Sequence, residues 1–191
     1  MRQQFLLLCL VLTFCVASLI WQNRPRFEEP FLNFPIDLIQ GFELRSFDRG
    51  LSFQKDQNNQ WQVRKIQTEV LKKIATAENL PPEFTQDQPI KTDLMRIWWQ
   101  SWSRQKISDF SAKADDLNKY QISSVSLQVE FFDALGNSLE AVSIGKQRQD
   151  SFECFAKKGS ENKIRLIHAQ IRQLALYPYE DWVYKGPDEQ N

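Results

Sequence analysis

Residues 125–145 read VSLQVEFFDALGNSLEAVSIG, and this stretch decides the fold class. Val125, Leu127, Val129 and Phe131 alternate with Ser126, Gln128 and Glu130. Successive side chains of a strand point to opposite faces, so this period of two predicts a strand with one buried face. Asp133-Ala134-Leu135-Gly136-Asn137 carries turn chemistry, and Leu139 to Ile144 then runs back to Gly145. The expected unit is an antiparallel hairpin, which needs no helical crossover.

The pattern extends outward in both directions. Phe152–Ala156 and Ile164–Ile167 predict a second strand pair, joined by the polar loop Lys157–Asn162. A helix is expected over Ala169–Leu176, stopping before Pro178, with Tyr179-Glu180-Asp181-Trp182 packing back on the domain. Upstream, Leu38, Gln40, Phe42 and Leu44 alternate with Ile39, Gly41 and Glu43. Leu51 and Phe53 flank Ser52, and Trp61 and Val63 flank Gln62, which completes a three-stranded meander. Ile66, Val70, Ile74 and Ala77 form a helical stripe that Pro81-Pro82 ends. A further helix is expected from Thr92, read as its N-cap, with Asp93 in the first turn. Leu94, Ile97, Trp98, Ser101 and Trp102 share one face of it, and Trp99 lies at the margin. The fold class is therefore α+β: two mainly antiparallel β-meanders with packed helices, preceded by one N-terminal transmembrane helix.

That last element rests on Phe5–Trp21, FLLLCLVLTFCVASLIW, an uncharged run of 17 residues flanked by Arg2, Arg24 and Arg26. At about 1.5 Å of helix rise per residue it reaches the short end of what spans a bilayer. A signal peptide cleaved after Ala17 or Ser18 is the rival reading. The retained anchor is preferred because apolar character continues through Leu19, Ile20 and Trp21. Neither Cys9 nor Cys15 follows a small residue, which argues against a lipoprotein. Charge does not orient the segment, since arginines stand on both sides. The expected organisation is a flank at 1–4, an anchor at 5–21, a Pro/Phe-rich linker at 22–35, a mixed α/β domain at 36–185 and a frayed tail at 186–191. Pro25, Pro30 and Pro35 make the linker extended. Its Phe27, Phe31 and Phe34 either lie back on the domain or form a docking strip for a partner or the lipid surface.

Catalytic constellations are hard to build here. Acidic and basic residues number 24 each, which argues against a nucleic-acid partner needing a basic surface. His168 is the only histidine, and Cys154 is the only cysteine beyond the apolar run. Zinc sites made of several histidines or cysteines are thereby excluded. No Gly-x-Ser-x-Gly elbow and no Gly-x-Gly-x-x-Gly loop occurs, so neither a serine nucleophile nor a bound nucleotide is expected. His168 reads as a strand–helix junction residue, and Cys154 as a small buried apolar one. The adjacent acids Glu28-Glu29 and Asp115-Asp116 point apart and read as solvated surface. No metal and no cofactor is expected.

In order and spacing of elements, Ile36 to Tyr184 resembles the bacterial family catalogued as domain of unknown function 4340. The tryptophan strand Trp61-Gln62-Val63 is part of the likeness. So is Asp116-Leu117-Asn118-Lys119-Tyr120-Gln121-Ile122, which resembles the family's aspartate-leucine-x-x-tyrosine-glycine-leucine phrase. The aromatic-acidic ending Tyr179-Glu180-Asp181-Trp182 completes it. Gln121 stands where the family usually has glycine, Ser124 stands near a common proline, and Thr68–Pro89 looks like an extra piece. The resemblance implies a membrane-attached, extracytoplasmic domain, in some members beside transporter-like components, and it carries over no catalytic residue.

The expected function is that of a non-catalytic, single-pass accessory or assembly subunit at the bacterial inner (cytoplasmic) membrane. Lipid would be met through residues 5–21, and other membrane-complex proteins through the domain. Trp99, Phe27, Phe31 and Phe34 are the candidate interaction residues. Trp99→Ala is expected to spare stability and weaken a partner complex. The alternative is an extracytoplasmic module for a glycan or lipid, with the tryptophans as a stacking surface.

Overall fold

A computed structural model of the chain describes residues 29–68, 80–108, 110–115, 117–123 and 126–186. The expected anchor at 5–21, Phe27 and the helical stripe at Val70, Ile74 and Ala77 lie outside the described residues. No helix among the described residues is long and apolar enough to cross a membrane.

The expected hairpin lies at the middle of one sheet, with Val125 outside the described residues. Its strands are β6 (Leu127–Phe132) and β7 (Ser138–Gln147), with Val129 opposite Val142. Asp133 builds the turn: its Oδ1 accepts the Leu135 and Asn137 amides at 2.8 Å each, and Gly136 takes φ 79°. The Asn137 side chain, first among these donors, holds the Asp133 carboxyl below its ordinary range. Before the hairpin come β1 (Gly41–Arg45), β2 (Gly50–Lys55), β3 (Trp61–Lys65), β4 (Gln88–Pro89) and β5 (Ala112–Lys113). After it come β8 (Glu153–Lys158) and β9 (Lys163–His168). The α-helices are α1 (Thr92–Ser103), α2 (Ala169–Ala175) and α3 (Tyr179–Trp182).

The two expected meanders are joined. β1 pairs antiparallel with β6, setting Phe42 opposite Phe131. Among the described residues this gives a nine-stranded sheet in the order β4-β3-β2-β1-β6-β7-β8-β9-β5. Each of its pairings is antiparallel, and the class is α+β. Both edge strands have two residues, and β4 carries Pro89, a composition that blunts pairing with other chains. The C-terminal segment shields β4 further, through the Ile90–Val183 bridge and the Tyr184 amide donating to Pro89 O at 2.8 Å.

Alternation puts Phe42, Leu44, Leu51, Phe53, Val63, Val129 and Phe131 on the face that α1 covers. Phe42 stacks on Phe53 at 4.3 Å and on Trp98 at 5.3 Å, while Trp182 meets Phe53 edge-on at 4.9 Å. A tryptophan that buries roughly 200 Å² contributes about 5 kcal/mol at about 25 cal/mol per Å². The indole N–H groups of Trp98, Trp102 and Trp182 are buried without hydrogen-bond partners. Edge-to-face neighbours supply ring faces, which are weak acceptors and offset only part of that cost.

A smaller cluster sits on the opposite face, where Phe110 and Tyr120 pack on Phe155 at 5.7 and 4.8 Å. Here the chain makes a 3-10 turn at Leu117–Tyr120, and Gln121 adopts φ 54°, a conformation glycine takes without strain. Gly145 lies against this turn: a Cβ there would stand 2.2 Å from Tyr120 O.

Several local expectations need correction. Lys91, not Thr92, is the N-cap of α1, and Thr92 is the first helical residue. Leu38 belongs to a 3-10 turn at Ile36–Leu38 and is exposed, so the first strand starts at Gly41. Phe152 is exposed and precedes β8, whereas Lys157 and Lys158, read as loop, complete that strand. Met95 is buried on α1 beside the expected face. The largest difference concerns the linker. Phe31 and Leu32 lie in the core, and Phe31 N–H donates to Gln105 O while Ile107 N–H donates to Glu29 O, both at 2.9 Å. Residues 29–32 are thus part of the packed domain, because Phe31 and Leu32 gain more by burial than by hydration.

Candidate functional site

The four candidate interaction residues are placed as follows. Phe31 is 0% exposed, with its ring 6.1 Å from Trp102, so it is unavailable to a partner in this conformation. Phe34 is half-buried, 6.3 Å from Phe131. Trp99 is also half-buried: its ring meets Phe42 and Trp61 at 5.4 Å each, and Phe131 at 6.3 Å. Phe27 lies outside the described residues. Trp98 and Trp102 are buried, out of reach as a stacking surface for a sugar.

Phe31 is held from below by a cation. Lys158, at the end of β8, is 1% exposed. Its Nζ donates to Phe31 O and to Asn33 Oδ1 at 3.2 Å each, pairs with Glu161, and stands 5.6 Å from the Phe31 ring. The Lys158 hydrogen bond, with Arg165 3.6 Å away, keeps the Glu161 carboxyl below its usual range. A buried lysine is tolerated only with such a set of acceptors.

A concavity lies beside residues 104–108. It is an open groove of about 940 Å³ between the C-terminal half of α1, residues 104–108, the β8–β9 edge and the start of α2. Its walls include Glu29, Gln100, Arg104, Arg165, His168 and Gln170. β5 covers β9 only at Lys163 and Ile164. Beyond that point side chains from the 104–108 segment take over. Ser108 Oγ accepts the Leu166 amide at 3.1 Å, and Gln105 Oε1 accepts the His168 amide at 2.7 Å.

His168 stands at the β9–α2 junction, as expected, and caps α2: its Nδ1 accepts the Gln170 amide at 3.2 Å. Cys154 is buried, as expected, and burial pushes its thiol up to about 12. A thiol so protonated is a poor nucleophile. Among the described residues no group of three His, Cys, Asp or Glu side chains is placed to hold a metal ion. Sequence reading missed Arg104, Arg165, Gln170 and Lys158. Lys158 and Gln170 take partners from chain far away, Phe31 and Asn33 for the one and Ser101 for the other.

Comparison with known proteins returns no match to a family model, a curated protein or a solved structure.

Proposed function

We propose that this protein is a non-catalytic, membrane-anchored accessory or assembly subunit that works through protein–protein contacts from an extracytoplasmic domain. The reading is carried by one juxtaposition: Glu29, the first described residue, pairs with the domain only eight positions after Trp21, the end of the apolar run. An extended chain covers at most about 29 Å in eight residues, so a domain tethered this way works close to the bilayer. Exposed Phe47, Leu135 and Phe152, each over half accessible, are apolar contacts available on its surface. Trp99 and Phe34 are half-buried and only partly available.

A pull-down from native membranes in mild detergent tests this, with mass spectrometry of the partners and of the chain's own N terminus. Recovery of an intact N terminus with a stoichiometric set of membrane proteins is the expected result. A lone monomer, or a chain beginning near residue 18, sinks it. The groove beside α1 favours a second reading, a ligand-binding module. With Trp98 and Trp102 buried, stacking in that module would fall to half-buried Trp61 and Trp99.

A further inference from the structure

Residues 29–38 lie between the apolar run and the sheet and add no strand to it. They are held at two places. Beside α1, Phe31 N–H donates to Gln105 O and Ile107 N–H to Glu29 O, on either side of the Pro30–Lys106 bridge. Next to it, Lys158 Nζ holds Phe31 O and Asn33 Oδ1. From there the hydrogen bonds turn local: Leu38 N–H donates to Pro35 O at 3.1 Å, and Gln40 Nε2 to Asp37 O at 3.4 Å. Burial follows the same division. Phe31 and Leu32 are buried, while Asn33, Pro35, Asp37 and Leu38 are exposed. An open cavity of about 460 Å³ has Leu32, Phe34 and Ile36 on one wall and Trp102 and Ser103 on another, so the segment fills its bed on α1 incompletely. Past Leu38 the grip changes. Ile39 is buried, Gln40 N–H donates to Phe132 O at 2.9 Å, and β1 is an inner strand with a five-residue ladder to β2 and another to β6.

We propose that residues 29–38 are a releasable strap that lengthens the tether between the bilayer and the domain. A pull on the tether reaches the Pro30–Lys106 bridge and the Lys158 contacts before it reaches any strand of the sheet. Peeling the strap breaks few hydrogen bonds and leaves the nine-stranded pairing whole, so it opens as a unit of lower stability than the sheet. Exposure of Phe31 and Leu32 opposes the opening and draws the strap back when the pull ends. Closed, the chain from Trp21 to Glu29 spans at most about 29 Å; open, the chain from Trp21 to Ile39 spans at most about 65 Å. The domain thus stays near the bilayer at rest and meets a partner surface farther out under pull. The lengthening rests on the membrane-anchored reading above, whereas the opening of the strap does not.

Pro30→Cys/Lys106→Cys supplies a lock. The two positions face each other between flanking hydrogen bonds, a pair type whose Cα atoms stand about 4.5 Å apart, within disulfide range. Cys154, the other cysteine beyond the apolar run, is buried. Amide exchange in the full chain, in neutral maltoside micelles, is followed by NMR at Phe31 and Ile107 and at Val129 and Val142 in the middle of the sheet. Phe31 and Ile107 should exchange on the order of a hundredfold faster than the valines, with a weaker dependence on urea. Oxidation of the cysteine pair should slow them towards the valines, and reduction should restore the difference. In a second arm the chain is held by its anchor in an immobilised nanodisc and pulled through a handle on exposed Lys146→Cys, attached while the pair is oxidised. After reduction, a reversible lengthening of up to about 36 Å, the reach of residues 29–39, should precede loss of the sheet. Exchange at Phe31 and Ile107 that matches the valines in rate and urea dependence overturns the proposal. So does a pull with no step before the sheet gives way, or a step that persists in the oxidised pair. A chain that does not stay in the nanodisc sinks the membrane-anchored reading instead, and the exchange arm still decides the strap.

Discussion

Lys158→Met removes one ammonium and keeps a stem of similar length. In the parent, that ammonium bonds Phe31 O and Asn33 Oδ1 at 3.2 Å and pairs with Glu161, all with the lysine 1% exposed. Removing one partner of a buried ion pair costs about 3–5 kcal/mol. Glu161 is a quarter exposed and keeps Arg165 at 3.6 Å, so the lower end applies, about 3 kcal/mol. The loss concentrates where Lys158 clamps residues 31–33. Urea unfolding followed by tryptophan fluorescence measures the global change. Chymotrypsin cleavage after Phe31 measures release of the segment, and should speed up in the variant. Lys158→Met/Glu161→Gln should recover about 1 kcal/mol, because the stranded carboxylate is gone. The pH dependence has a definite sign. Glu161 titrates below its ordinary 4.5 when folded, so its contribution is whole above that value and is lost as pH falls through the lowered one. Glu161→Gln should remove this part of the acid limb. A Lys158→Met protein within about 1 kcal/mol of the parent, with unchanged cleavage, would falsify the clamp.

Three further outcomes follow from packing and burial. Gly145→Ala sets a methyl 2.2 Å from the Tyr120 backbone oxygen, which no rotamer relieves, so stability should fall by about 3 kcal/mol. Gly159→Ala, whose nearest atom is 3.4 Å away, is the near-neutral control in the same urea series. Cys154, with its thiol pushed up to about 12, should resist maleimide at pH 8 and react only after unfolding, as site-mapped mass spectrometry would show. Trp99→Ala removes a ring packed on Phe42, Trp61 and Phe131, so melting should reveal a loss of about 2 kcal/mol rather than the negligible change expected from sequence.

Elements with strong local patterns were legible beforehand. The 125–145 hairpin needed only alternation and an Asp-x-x-Gly-Asn turn, both properties of neighbouring residues. Trp98 and Trp102 announced a core face because they stand four positions apart on a helix. His168 and Cys154 took the places expected of them. The edges of elements were less legible. Leu38 continues the alternation of Phe42 and Leu44, yet the chain turns at Ile36–Leu38 and leaves it in solvent. The groove was not legible at all: Arg104 and Gln105 follow α1, while Arg165, His168 and Gln170 come some 60 residues later.

The sequence by itself determined the class of the domain, its strand faces and the uncharged run at residues 5–21, because periodicity and composition act over a few residues. Only the tertiary structure decided that β1 pairs with β6, that residues 29–32 close over the core, and that Lys158 is buried beneath them. A lysine ending a strand reads as solvent-facing until another segment brings it Phe31 O, Asn33 and a ring. Those partners lie more than 120 positions away, and which distant surfaces meet depends on the summed free energy of the whole packing, not on any local pattern.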